Sequence, residues 1–288
     1  MIGIIFNPSA AGGKSVPRME SFLKMLDSRS IEYEYRETTK AWDAFDFAEE
    51  LSKTCDTIVV GGGDGTVFEV LCNVWDKDVR LALLPYGSGN DGAMCIYGKD
   101  FPDEKMVDVI TGDSETRVDC ARINDKYASV LLASFGLGAD ILVAFKEKGG
   151  SYFKVIPGVM RHTNRRNFTI KTDDKEEVTY FSEFVSVFNF GSAGGGIKVL
   201  DSSVSDDGQM EIIVLEKSSV LRRYQNFIAL AKKRVERQPN VKVLRFKECT
   251  ITCEKEEPCN LDGELLFFDK INIKVLPKQL RFAVPKQE

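Results

Sequence analysis

The chain opens with an apolar run, Ile2 to Phe6, suited to a buried strand, and a loop of small residues, NPSAAGGKS, follows it. Met19, Phe22, Leu23 and Leu26 then recur at i, i+3, i+4 and i+7, a spacing that puts all four on one face of a helix. Ile31, Tyr33 and Tyr35 alternate with Glu32, Glu34 and Arg36, the two-residue period of a half-exposed strand. The cycle then repeats. Ala44, Phe47, Ala48 and Leu51 predict a second helix, residues 57–60 a buried strand, Val67, Val70, Leu71 and Val74 a third helix, and residues 81–84 a fourth strand. Strands joined by helices run parallel, so this part predicts an open α/β sheet covered on both faces.

From about Thr116 the pattern changes to alternating segments separated by polar turns at Asn124-Asp125 and Asp173-Asp174. Candidate strands cover residues 117–123, 127–134, 168–171, 183–190, 210–215 and 241–246. One long helix is predicted among them, over residues 219–237, with Leu221, Tyr224, Ile228, Ala231 and Val235 on one face. The second half therefore reads as a separate, mostly antiparallel β domain.

Composition narrows the function. A net charge of −5 excludes a dedicated nucleic-acid binder. Seven scattered cysteines without a C-x-x-C pair, and a single histidine, His162, speak against a disulfide framework or a zinc site and for a cytoplasmic protein. No apolar run reaches the ~18 residues of a membrane span. Charge is unevenly spread. Between Lys217 and Arg237 seven basic residues meet one acid, Glu236, and Arg161, Arg165 and Arg166 form a second basic group.

In open α/β sheets ligands bind beyond the carboxyl ends of the strands, and the loops after the first, third and fourth predicted strands are rich in glycine or small residues. Gly61-Gly62-Gly63-Asp64-Gly65-Thr66 leaves a strand and opens a helix, so its backbone can approach phosphate oxygens and its helix end can receive them. Residues 8–15, PSAAGGKS, differ from a phosphate loop at Pro8. Gly87-Ser88-Gly89-Asn90-Asp91-Gly92 fits G-x-G-x-x-G but is set off from its strand by Pro85-Tyr86. Both read best as neighbours of the triglycine loop in one nucleotide site, to which Gly62 and Asn90 then belong. The second half adds GSAGGGIKV at 191–199, SDDGQM at 205–210 and LDGE at 261–264. Taken alone, its Asp-Gly pairs signal turns.

Together, GGGDGT, PYGSGND at 85–91, GGG followed by SDDG, and LDGE resemble the diacylglycerol kinase catalytic-domain family, whose relatives include sphingosine and ceramide kinases. The resemblance runs through nearly the whole chain and implies an α/β nucleotide-binding domain, residues 1–115 with 277–288 returning to it, and a β-sandwich lipid-substrate domain, residues 116–276. It implies ATP and Mg²⁺ as cofactors. Asn7, Pro8, Ser9, Ala10, Ala11, Thr38, Gly63, Asp64, Gly65, Thr66, Val67, Phe68, Glu69 and Ser88 would surround ATP. Asp262 would be the general base, with Glu264 beside it in the catalytic motif, and Val204, Asp207 and Gln209 would hold a structural Mg²⁺. The implied reaction is phosphorylation of diacylglycerol or a related lipid alcohol by a protein that visits the inner membrane surface. A soluble-metabolite kinase of the NAD kinase type and a nucleotide sensor without turnover are the alternatives. The expected membrane contact is the basic side of the 219–237 helix, through Arg222, Arg223, Lys232, Lys233 and Arg234, with its apolar stripe packed inward. Edge strands of the second domain offer a route to a homodimer.

Overall fold

The computed structural model describes residues 1–149, 152–193, 197–200, 203–216, 219–231 and 235–286, and divides into two compact units, Met1–Cys120 with Lys278–Glu288, and Ala121–Pro277.

In the first unit the strands are β1 (Ile2–Phe6), β2 (Tyr33–Glu37), β3 (Thr57–Gly62), β4 (Arg80–Pro85) and the start of β5 (Glu115–Ile123). Helices α1 (Val16–Ser28), α2 (Asp43–Leu51), α3 (Asp64–Val74), α4 (Asp91–Tyr97) and α5 (Asp103–Thr111) lie among them. Four strands form a parallel sheet in the order β4-β3-β1-β2, and Arg281 and Phe282 near the carboxyl terminus pair in parallel with Arg80 and Leu81 of β4. The two-residue period of β1 sends Ile2, Ile4 and Phe6 to one face, where they pack with Met19, Phe22 and Leu26 of α1 and Met106, Val107 and Ile110 of α5. Each such side chain, fully buried, stabilises the fold by roughly 1.5–3 kcal/mol. Gly3 faces the other way, where a Cβ would sit 3.1 Å from Leu51 of α2. With both faces covered, the open surface of the sheet is left to its strand ends.

The second unit holds the end of β5, then β6 (Tyr127–Ser129), β7 (Leu132–Gly136), α6 (Leu137–Lys148), α7 (Tyr152–His162), β8 (Arg166–Thr172), β9 (Val178–Ser182) and β10 (Phe184–Phe188). It continues with β11 (Ser192–Ala193), β12 (Ile197–Lys198), β13 (Met210–Leu215), α8 (Val220–Ala231), β14 (Val241–Phe246), β15 (Glu248–Leu261) and β16 (Glu264–Ala283). Pairing is antiparallel in the order β14-β13-β10-β7-β15-β16. A register shift between Thr252 and Glu257 divides β15, whose first part pairs with β8 and whose last residues pair with β7. The shift lets one long strand pair with different neighbours along its length.

The structure corrects the sequence reading in three places. Helices α6 and α7 occupy residues read as strand-rich, because Gly136, Gly138, Gly149 and Pro157 look like breakers in sequence but sit at or inside helices here. The single strand predicted over 127–134 is two strands interrupted at Val130 and Leu131. Helix α8 turns the opposite way from the expected one. Arg223 is buried in an ion pair with Glu183, whereas Leu221 and Ile228 are exposed. Lys232, Lys233 and Arg234 lie outside the described residues.

Candidate active site

The carboxyl ends of β1, β2, β3 and β4 carry the loops singled out in the sequence, and side chains tie these loops together. The Asn7 amide donates to Thr66 Oγ1 at 3.1 Å, and Asn7 Oδ1 accepts the Ser9 amide at 3.0 Å. Ala10–Gly13 is then kinked, with Ala11 and Gly12 at φ +50° and +67°. Thr38, buried at the end of β2, donates its amide to Phe6 O. Just beyond it, Asp43 accepts the Thr39 amide and hydroxyl, both at 2.8 Å, and the Lys40 amide at 3.0 Å, and these hydrogen bonds hold its carboxyl below the usual aspartate range.

The third and fourth loops lie against each other backbone to backbone. A Cβ on Gly87 would stand 2.3 Å from Gly63 Cα, so only glycine allows this approach. Asp64 Oδ1 accepts the Gly92 amide at 3.0 Å, which links the start of α3 to that of α4. Asn90, at φ +60°, closes its own loop by accepting from Gly87 N at 2.7 Å and donating to Gly87 O at 2.9 Å. Three residues that sequence reasoning did not single out brace the same place. The Arg18 guanidinium donates to Pro85 O, pairs with Asp103 at 2.8 Å and lies 4.3 Å from the Tyr86 ring centre, while Tyr86 Oη donates to Asp103. They are separated by 68 and 17 positions in the chain, so no local motif announces them.

This end of the unit presents main-chain amides rather than catalytic side chains. Helix α3 begins at Asp64 with Gly63 as its extended N-cap, leaving the first-turn amides with no acceptor in their own helix. Those amides and the helix dipole favour phosphate oxygens. Val67 and Phe68, expected around the nucleotide, are 7% and 1% exposed, and Phe68 meets the Trp42 ring edge, so their side chains belong to the core. Thr66 is also buried. Pro8, Ser9, Gly65, Glu69 and Ser88 lie half-buried or exposed along the same strand ends, and Gly62 is buried at the end of β3.

In the second unit LDGE is the tip of the β15–β16 hairpin. Asp262 and Gly263 take φ of +48° and +92° between the paired Leu261 and Glu264, as a two-residue hairpin of the I′ type demands. The Asp262 side chain folds into the break between β6 and β7. Its Oδ1 accepts from Ser129 Oγ at 2.7 Å, Leu131 N at 3.1 Å and Leu132 N at 2.8 Å, and its Oδ2 accepts from Val130 N at 2.8 Å. Only 2% of the residue is exposed, and burial pushes its carboxyl up against the opposing pull of the four donors. The carboxylate is thereby enclosed and fixed by four donors. Glu264, two residues on, keeps a side chain 40% exposed and pairs with Lys146 of α6 at 3.0 Å.

The expected metal loop lies before β13. Asp207 Oδ1 accepts the Gln209 amide at 3.0 Å, an Asx turn that fixes the carboxylate, and Gly208 follows at φ +76°. Val204 and Asp207 are exposed and Gln209 is half-buried. No three His, Cys, Asp or Glu side chains come together to hold a metal among the described residues. One fixed carboxylate with neighbouring carbonyls fits a hard cation that keeps several of its waters, such as Mg²⁺. None of the seven cysteines is in a disulfide.

Residues 1–123 match the diacylglycerol kinase catalytic domain, and residues 145–284 match the YegS C-terminal NAD kinase beta sandwich-like domain. A probable lipid kinase YegS-like protein of Klebsiella pneumoniae is 28% identical over 289 residues, 95% of this chain and 93% of that protein. A probable lipid kinase YegS of Salmonella arizonae is 29% identical over 294 residues, with coverage of 95% and 94%. The crystal structure of a diacylglycerol kinase from Bacillus anthracis matches at a TM-score of 0.76 and 20% identity, covering 98% of this chain and 96% of that one. Yeast NADH kinase complexed with NADH matches at 0.55 and 11%, covering 100% and 84%. At such identities the structural likeness speaks for the fold alone.

Proposed function

We propose that the chain, whose residues 1–123 match the diacylglycerol kinase catalytic domain and whose residues 145–284 match the YegS C-terminal domain, is a lipid kinase of that family, transferring the γ-phosphoryl group of Mg·ATP to a hydroxyl of diacylglycerol or a related lipid alcohol. The observation that carries this reading is the set of glycine-lined strand ends in the first unit, locked together by Asn7, Asp64 and Asn90 so that main-chain amides stay available to phosphate. Phosphoryl transfer depends mainly on positioning and charge stabilisation, for which such a cradle is suited.

In this mechanism the amides at the start of α3 and the Asn7–Ala11 loop receive the phosphates, with Thr38 and Ser88 at the margins of the nucleotide. Mg²⁺ on the phosphates would supply charge neutralisation, and Asp207 with the Val204 and Gln209 carbonyls would hold a second, structural ion. Glu264 accepts the lipid hydroxyl's proton. As the O–H bond breaks, the oxygen bonds to the γ-phosphorus, the bond from that phosphorus to the β-γ bridging oxygen breaks, and ADP leaves. Asp262 is the positioning residue that holds the hairpin tip from which Glu264 projects.

The test is ATP consumption with and without vesicles containing diacylglycerol. Lipid-dependent consumption is expected. Consumption that responds only to a soluble acceptor would favour the NAD kinase type, and binding of ATP without consumption would leave a nucleotide sensor.

A further inference from the structure

Helix α8 buries two polar side chains and exposes three apolar ones. Arg223 and Asn226, three residues apart, are 8% and 2% exposed, whereas Val220, Leu221 and Ile228 are 44%, 68% and 52% exposed. The helix cannot roll to hide them. Arg223 donates to Glu183 Oε2 at 2.7 Å and to Met160 O at 2.9 Å, and Glu183 is itself buried, so rotation would strand a buried charge.

The exposed stripe adjoins a cationic one. On α7, Lys154 and Arg161 are exposed one helical stripe apart, with the exposed Pro157 between them. Tyr224, which lies between Leu221 and Ile228 on α8, donates its hydroxyl to Pro157 O at 3.2 Å, so the two stripes meet. Arg222 is half-buried beside them. In a chain with 44 acidic residues, neither residues 152–172 nor residues 217–235 contain one. Exposed aliphatic side chains flanked by arginine and lysine, in stretches without an acid, match the chemistry of an anionic bilayer, apolar below and negative at its surface.

We propose that the α7–α8 surface docks the protein on an anionic phospholipid bilayer, with Val220, Leu221 and Ile228 entering the headgroup boundary and Lys154, Arg161 and Arg222 facing lipid phosphates. The choice of a bilayer as occupant rests on the lipid-kinase reading. The apolar stripe inserts, so docking does not depend on charge alone.

The experiment is flotation of the full chain with phosphatidylcholine vesicles, with and without phosphatidylglycerol. The parent is expected to float with the anionic vesicles. The double variant Leu221→Ser with Ile228→Ser, at exposed positions that leave the melting curve unchanged, is expected to lose roughly tenfold or more in vesicle affinity. Lys154→Ala with Arg161→Ala weakens binding less and reduces its dependence on salt. Turnover on diacylglycerol dispersed in detergent stays at the parent level in both, whereas parent protein that phosphorylates no lipid would defeat the kinase reading and leave the flotation result standing. Unchanged flotation of the Leu221/Ile228 variant overturns the proposal. So does a parent dimer that this variant converts to monomer, since a second copy would then be the occupant.

Discussion

The glycine loops of the first unit and the Asp-Gly hairpin of the second solve opposite problems with the same chemistry. In the first unit, side chains hold main chain: Asn7, Asp64 and Asn90 accept amides of the loops proposed to receive phosphate. In the second, main chain holds a side chain: three consecutive amides, with the Ser129 hydroxyl, fix Asp262. The difference separates an enclosed carboxylate from an accessible one. Both Asp262 and Glu264 sit in one turn, yet only Glu264 reaches solvent.

Changing the proposed proton acceptor should give the largest effect. Glu264→Gln keeps size and exposure but removes the proton acceptor, so turnover should fall by about 10² to 10⁴ while ATP affinity and Tm stay at parent values. Parent-like turnover would dissolve the proposed division of labour. Next comes Gly87→Ala, whose new methyl would meet the Gly63 backbone at 2.3 Å and force the two loops apart. A misplacement of this kind costs on the order of 10²-fold in turnover, with the circular dichroism spectrum unchanged.

Asp262→Asn should act on stability before chemistry. The amide nitrogen must face one of the donors that now bond the carboxylate, and a buried unmet pair costs about 1–3 kcal/mol, seen as a Tm lower by several degrees. A variant that melts like the parent while losing turnover would return the general-base role to Asp262. The smallest effect concerns the far end of α3, where Lys77 bonds both Asn73 and Glu49. Hydrogen bonds from Lys77, then Lys53 and Asn73, hold Glu49 down at about 2. A lowered carboxyl stabilises the fold above its ordinary value of 4.5 and loses that contribution as pH falls towards 2. The Tm difference between parent and Glu49→Gln should therefore be small at neutral pH and shrink steadily below pH 4.5.

Much of the first unit is legible because its periods are local. Ile2 to Phe6 and the Met19, Phe22 and Leu26 stripe each need only their own window, and both become core. The glycine loops were legible for a related reason, since close backbone approach leaves glycine in the sequence. Their braces, Arg18 and Asp103, were not, because nothing local links positions 85 residues apart. In the second unit Gly138 and Pro157 obscured two helices. The face of α8 was misread because hydrophobicity alone assigns Leu221 and Ile228 inward. What reverses them is Glu183, a buried acid 40 residues away that claims Arg223. The LDGE motif told of a turn, but only the 130–132 amides show which of its carboxylates is enclosed.

The measurement that bears most directly on the central claim is the destination of the γ-phosphoryl group. With γ-labelled ATP, Mg²⁺, diacylglycerol vesicles and a nicotinamide dinucleotide present in one reaction, label should appear in the organic-phase lipid and depend on the Glu264 carboxylate. Label on the dinucleotide, or released only as inorganic phosphate, would contradict the account.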